Sequence, residues 1–274
     1  MRAILAVAEK ELKDGLRNRW LIAITTIFVI MAGGISWFGS ASVGAIGFSS
    51  IANTIISLSS LNVFLLPLIA LLLSYNAIVG EDEDGTLLLL LTYPLTKAEL
   101  LLGKFLGHSA ILAIATFIGF GSASLSIALF VTDVDISKLL SSFGLFILSA
   151  ILLGMAFISL SYLVSTWVAE KSKAAGMALI IWFFFVLIYD MGLLGILVFT
   201  EGKVQAELFP YLLMLNPTDI FRLINLATFE TNGTGLLSVA SEDIFSLTGL
   251  IGSMAMWIVI PLSLAYYRFL RRPI

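Results

Sequence analysis

Residues 80–107 read Gly80-Glu81-Asp82-Glu83-Asp84-Gly85-Thr86, then Leu87 to Leu91, then Thr92-Tyr93-Pro94-Leu95-Thr96-Lys97-Ala98-Glu99-Leu100-Leu101-Leu102-Gly103-Lys104-Phe105-Leu106-Gly107. Four consecutive carboxylates cannot enter hydrocarbon, where each would cost about 2.5–3.5 kcal/mol even on the lenient insertion scale. Glu81, Asp82, Glu83 and Asp84 therefore stop an apolar helix at a membrane interface. Gly85 can supply a turn, and Thr86 is expected to cap a short new helix. Leu87–Leu91 is too short to cross a bilayer, so it must bury against headgroups, neighbouring helices or a partner. Pro94 breaks the run because it has no amide to donate. Thr96 with Glu99 three residues on forms a capping box that opens the next helix through Lys104. An ordinary solvated loop would explain the charges but not the five leucines.

On both sides of this break the chain is hydrocarbon. Of 274 residues 59% are hydrophobic and 12% charged, and the mean hydropathy of +1.06 excludes a soluble domain. Only helices and closed barrels satisfy the backbone inside a bilayer, and unbroken apolar runs of this length are helical. Six spans are expected, at 20–39, 55–79, 109–131, 139–166, 174–199 and 246–266. The fold class is thus all-α and polytopic, a single membrane domain over 1–274, with a polar segment at 80–107 and an outer segment at 200–245.

Charge sets the orientation. With the N-terminus inside, 12 of the 15 Lys and Arg residues are cytosolic, and only Lys138, Lys203 and Arg222 lie outside. Both termini are then cytoplasmic. No secretory signal is expected, because Lys10, Glu11, Lys13 and Asp14 fall where its apolar region would be. Ile4, Ala8, Leu12, Leu16 and Trp20 recur every four residues, which predicts an interfacial amphipathic helix leading into the first span.

The outer segment predicts two short interfacial or re-entrant helices joined at Asn216-Pro217. Asn216 fits as the cap, Pro217 as the first helical residue and Asp219 as the third, with Thr218 between them. Asp219 and Arg222 can pair across one face. These residues form a candidate gate or docking surface for an outside partner, or a hairpin that only seals the bundle. Glu201, Glu207, Glu230, Glu242 and Asp243 make the neighbourhood acidic, and Asn232-Gly233-Thr234 matches a glycosylation acceptor by chance length alone. Asp190 is the one carboxylate within a span, a candidate for the pathway or a hydrated helix-end residue bonded to a neighbour such as Tyr189.

Enzymatic chemistry has little to work with. Cysteine is absent and His108 is the sole histidine. Ser122 lies 14 residues along the same helix from His108, roughly 21 Å away at 1.5 Å per residue, so the two cannot form a relay. The methionines do not cluster and read as packing, so no metal site is expected. Gly103-Lys104 is followed by Phe105 and lacks the upstream glycine of a phosphate loop.

The pattern Glu81, Glu83, Gly85, Thr86, Leu87, then Pro94, then Leu101-Leu102-Gly103-Lys104 resembles the signature of type 2 ABC permeases, the membrane subunits of bacterial exporters. Lys10-Glu11-Leu12 with Leu16, Arg17 and Arg19 resembles the family's opening helix. Asp14–Leu21, Ala77–Glu83, Glu170-Lys171-Ser172 and Leu215–Ile220 narrow the resemblance to the permease of the transporter that serves maturation of the copper centre of nitrous oxide reductase. The resemblance implies an inner-membrane homodimer. Residues 80–107, with Glu81–Leu87, Pro94, Lys97 and Lys104, would couple it to two cytosolic ABC ATPase subunits. It implies ATP and Mg on those subunits, no cofactor on this chain, a β-helical periplasmic partner, the lipid bilayer as surroundings and no nucleic acid. A general exporter of drugs, lipids or ions, or a mechanotransmitting anchor without solute flux, fits the residues as well. The cargo (copper, a sulfur compound or none) is not readable.

Overall fold

The computed structural model of the chain describes residues 2–38, 48, 50–200, 209–227 and 246–272. Among them every regular element is helical: α1 (Arg2–Arg17), α2 (Trp20–Phe38), α3 (Ile51–Ser74), α4 (Val79–Glu83), α5 (Thr86–Thr92), α6 (Lys97–Phe130), α7 (Ile136–Trp167), α8 (Lys171–Phe183), a π turn (Phe184–Ile188), α9 (Tyr189–Phe199), α10 (Phe209–Met214), α11 (Pro217–Ala227) and α12 (Leu247–Arg271). Local chemistry sets several starts. Ser50, Thr96, Asp135 and Ser246 each accept the backbone amide three residues on, and Thr96 with Glu99 closes the expected capping box.

Six stretches are long and apolar enough to cross a membrane: α2, α3 with α4, α6, α7, α8 through α9, and α12. The crossings agree with the sequence reading, but their ends differ. Within the second span the helix α3 stops at Ser74, ahead of the carboxylates. The reason is a side chain remote in sequence: the Ser165 hydroxyl accepts the amides of both Ile78 and Val79, at 3.0 Å each, and so stabilises a turn at 75–78. The third span begins at Lys97 and runs 34 residues, about 50 Å at 1.5 Å per residue, well beyond a ~30 Å hydrocarbon core.

That overhang is where α1 lies. Gly103 and Gly107 let α1 approach α6 so closely that a Cβ on Gly107 would sit 2.5 Å from Glu11 Cβ and 3.0 Å from the Ala8 carbonyl. The face of α1 turned to α6 is Ile4, Val7, Ala8, Glu11 and Gly15, while Leu16 and Trp20 are exposed. A four-residue repeat on a 3.6-residue helix precesses about 40° per step, so Leu16 has already rotated off the face that Ile4 begins.

The long helix α7 is the centre of the bundle, packed against α12, α3, α6 and α11. Phe28, Phe120, Phe146 and Phe221 form a continuous ring stack from α2 through α6 and α7 to α11. The fifth span is the least buried of the six and turns Ile180, Phe183, Ile188 and Leu194 outward, as a lipid-facing or subunit-facing surface would.

Candidate functional site at the two ends of the bundle

The acidic run sits at the end of the bundle where α1 and α12 also finish, and its four carboxylates are tied to three separate parts of the chain. Glu81 lies 2.7 Å from Lys104 of α6, whose ammonium also meets Glu11 of α1 at 2.8 Å. Lys10 adds a second cation to Glu11 at 3.1 Å. Asp82 meets Arg272 at 2.6 Å. Glu83 accepts the Lys171 amide, and Asp84 pairs with the Lys171 ammonium, both at 2.7 Å. The run at the end of the second span is therefore fastened to α1 and to the third, fifth and sixth spans.

The Glu11–Lys104–Glu81 group is nearly dry, with the Lys104 side chain 4% exposed. Two carboxylates and two ammoniums balance there, which is the condition for charges to tolerate burial. Burial raises the Glu11 carboxyl, but Lys104 first, then His108 and last Lys10 more than offset this and hold it at about 2. His108 extends the group by sharing a 2.7 Å hydrogen bond with Tyr162 of α7.

Arg272 does more than pair with Asp82. Its guanidinium donates to the Ser165, Thr166 and Val168 carbonyls, which are free acceptors at the C-terminal end of α7. Lys97 does the same for α12, donating to the carbonyls of Phe269, Leu270 and Arg272. Lys97 and Lys104, both expected on a docking surface, are thus engaged within the chain.

What remains presented is α5. Gly85 makes the turn with φ +70°, a conformation that strains other residues. Thr86 does not cap the helix as expected. It is the first helical residue, and its hydroxyl donates to the Glu81 carbonyl. Leu87 is buried, whereas Leu88, Leu89 and Tyr93 are 59%, 64% and 69% exposed. Pro94 lies in the exposed link to α6.

At the opposite end, α10 and α11 form the hairpin expected around Asn216-Pro217. Asn216 Oδ1 accepts the Thr218 amide at 3.0 Å, and its Nδ2 donates to Asp219 at the same distance. The hairpin reaches into the bundle. Asn216 Nδ2 also reaches the Phe185 carbonyl, and the Met214 carbonyl accepts from Trp257 at 3.1 Å. Phe185 is 14 residues in from the end of α9 and Trp257 is 10 from the start of α12. At 1.5 Å per residue the elbow sits about 15–21 Å inside the bundle. The Phe185 carbonyl is free for this because the π turn departs from the α ladder.

Asp190, read separately in the sequence, belongs to the same group. Arg222 Nη1 bridges Asp190 at 2.6 Å and Asp219 at 2.8 Å. Burial first, and the Asp190 charge second, push the Asp219 carboxyl up to about 7 against the pull of Arg222 and Asn216. One turn further along α11, Asn225 donates to Ser149 of α7. Glu201, Glu207, Glu230, Glu242, Asp243 and Asn232-Gly233-Thr234 lie outside the described residues.

Six crossings, a short leucine-rich elbow and a buried hairpin before the last span are the frame in which residues 5–273 match the model of the ABC-2 family transporter proteins. The chain belongs to that family and is a multi-pass membrane permease subunit of an ABC transporter. It is 53% identical to a Pseudomonas aeruginosa protein named "Probable ABC transporter permease protein NosY", over all of both chains. A Stutzerimonas stutzeri protein of the same name is 54% identical over 99% of both.

Proposed function

We propose that this chain is the membrane subunit through which separate ATPase subunits drive the transport step, or conformational signal, that serves maturation of the copper centre of nitrous oxide reductase. The name shared by its full-length relatives supports the physiological setting. The basic residues at the termini end support a cytoplasmic position for that end. Two copies would enclose the path, with two ATPases below and a β-helical protein outside. ATP and Mg would be held on the ATPases.

The observation that carries the coupling role is the contrast within residues 81–94. The carboxylates are paired with α1, α6, α8 and α12, while Leu88 and Leu89 of α5 and Tyr93 just past it are exposed. A force applied to α5 reaches four spans through those ties. Lys97 and Lys104 then act as anchors behind the elbow and not as ATPase contacts. At the far end Asn216, Pro217, Thr218, Asp219 and Arg222 form the gate, with Asp190 facing them from the fifth span.

The test is Leu88→Asp with Leu89→Asp. Exposed in the free chain, they leave the fold unchanged, but burying each leucine against a partner is worth about 1.5–3 kcal/mol. The double variant should bind its ATPase on the order of 100-fold more weakly and leave nitrous oxide reductase without its copper centre. Wild-type ATPase association and copper loading would remove the coupling role. Lost association with copper loading intact would remove only the physiological assignment.

A further inference from the structure

At the termini end of the bundle Lys10, Lys13, Lys104, Lys171 and Arg272 all pair with carboxylates. Arg17 and Arg19 do not. Both are exposed, and neither guanidinium meets a carboxylate or a carbonyl among the described residues. Arg19 is also held at φ +61°, a left-handed conformation that glycine adopts freely and arginine only against strain. The backbone there favours glycine, so what arginine adds is its side chain. α2 starts from this residue, whose carbonyl accepts the Ala23 amide at 2.9 Å. Ile22 and Thr26 follow it at the spacing of one helical face.

That face opens into a groove of about 350 Å³ between α2 and α6, lined by Leu21, Ile22, Thr25, Thr26, Val29 and Ile118. Its course follows the seam where Phe28 packs on Gly119 and stacks on Phe120. Thr25 and Thr26 return their hydroxyl protons to the Leu21 and Ile22 carbonyls, which leaves the walls apolar. Val29 lies 9 positions past Trp20, so the groove ends about 14 Å along α2. That is the depth of one leaflet of a ~30 Å hydrocarbon core. Apolar walls of that depth below two free guanidiniums suit a hydrocarbon tail joined to an anion. We propose that this groove binds an acidic phospholipid, one acyl chain lying between α2 and α6 and the phosphate meeting Arg17 and Arg19. A zwitterionic headgroup brings its own cation and gains less from the pair. Trp20, exposed beside them, supplies an amphipathic ring of the kind that sits at headgroup depth. The inference rests on the membrane placement of α2 and α6, not on the cargo, the ATPase or the hairpin.

Native mass spectrometry of the full chain, titrated with dioleoyl phosphatidylglycerol or dioleoyl phosphatidylcholine, tests it. The wild type should hold phosphatidylglycerol about 30-fold more tightly, the combined effect of two basic residues at a membrane surface. Arg17→Gln with Arg19→Gln should remove that preference and leave the phosphatidylcholine affinity unchanged. Thr26→Phe, which fills the groove, should weaken both lipids alike. Arg268→Gln removes an exposed cation of α12 at the same end and should change neither affinity. Arg19→Gly separates backbone from side chain: it should raise the melting temperature in lipid-free detergent, yet lower the preference about 5-fold. Equal affinity of the wild type for the two lipids, or a preference that survives R17Q with R19Q, overturns the proposal. So does its loss in R268Q, which would mean attraction by diffuse charge. A disulfide between two copies of Ile22→Cys, in a chain with no other cysteine, would put a second copy on the groove and refute the lipid.

Discussion

Lys104→Met tests the elbow where it is most tightly built. The substitution keeps the length and apolar stem of the side chain and deletes one charge. Glu11 and Glu81 then share Lys10 alone, which lies 3.1 Å from the first and 3.9 Å from the second. Two routes give the cost. Breaking a buried pair and stranding its partner typically costs 3–5 kcal/mol. Independently, Glu11 is held at about 2 against an ordinary 4.5, and that shift corresponds to ~3 kcal/mol at neutral pH. The agreement makes ~3 kcal/mol the working figure for the attachment of α1. Amide exchange across residues 4–15 should accelerate on the order of 100-fold, with exchange in α7 unchanged. Glu11's share of the pH dependence has a definite sign, opposed by Glu81, whose carboxyl is raised by burial. Glu11 is lowered in the folded state, so its contribution is complete above about 4.5 and is lost as pH falls towards 2. Acid should therefore release α1 in the wild type, and K104M should respond less. The triple change Lys104→Met, Glu11→Gln, Glu81→Gln should recover most of the loss, because it strands no charge. Wild-type protection of α1 in K104M would refute the claim that this pair fastens it.

Two further outcomes separate close packing and strapping from propensity. Gly107→Ala should cost about 1–3 kcal/mol and loosen α1, because its Cβ meets the Ala8 carbonyl and not a yielding side-chain tip. Gly176→Ala, in α8 with open space around it, should instead stabilise by about 0.5–1 kcal/mol; thermal denaturation of the two side by side checks both signs. Arg272→Ala should cost about 2 kcal/mol and raise exchange at Asp82–Gly85, and Arg272→Lys should rescue the Asp82 pair but not the bonds to the α7 carbonyls. ATP hydrolysis that continues without transport in R272A would show that the last span receives its motion through this residue, and full coupling would exclude it.

The parts of this fold that follow from neighbours in sequence were legible. Asn216, Pro217 and Asp219 announce a helix start, Thr96 and Glu99 a capping box, and Gly85 a turn, because each acts within four residues. The partners of the acidic run were not legible. Glu81 finds Lys104, but Asp82 finds Arg272 and Glu83 finds Lys171, across 190 and 88 residues. No period relates such positions. Glu11 did leave a signal: it is a lone carboxylate on the face of α1 that Ile4, Val7 and Ala8 share. Ser165 left none, since a serine in a span usually bonds its own helix, as Ser159 does. Thr86 shows the competing choice, its hydroxyl turning back to Glu81 once Gly85 occupies the cap. Asp190 and Asn216 each stood out alone, and only the inward path of the hairpin joins them.

The π turn at Phe184–Ile188 stores one residue more than an α-helix of the same rise would hold. Were that residue passed along the fifth span, everything beyond it would swivel by about 100° about the helix axis. Asp190 is two positions past the turn and would swing away from Arg222, while the Phe185 carbonyl would be drawn back into its own ladder and let go of Asn216. One migrating kink would thus undo two of the hairpin's ties to the fifth span at once, with α8 and its tie to the elbow left in place.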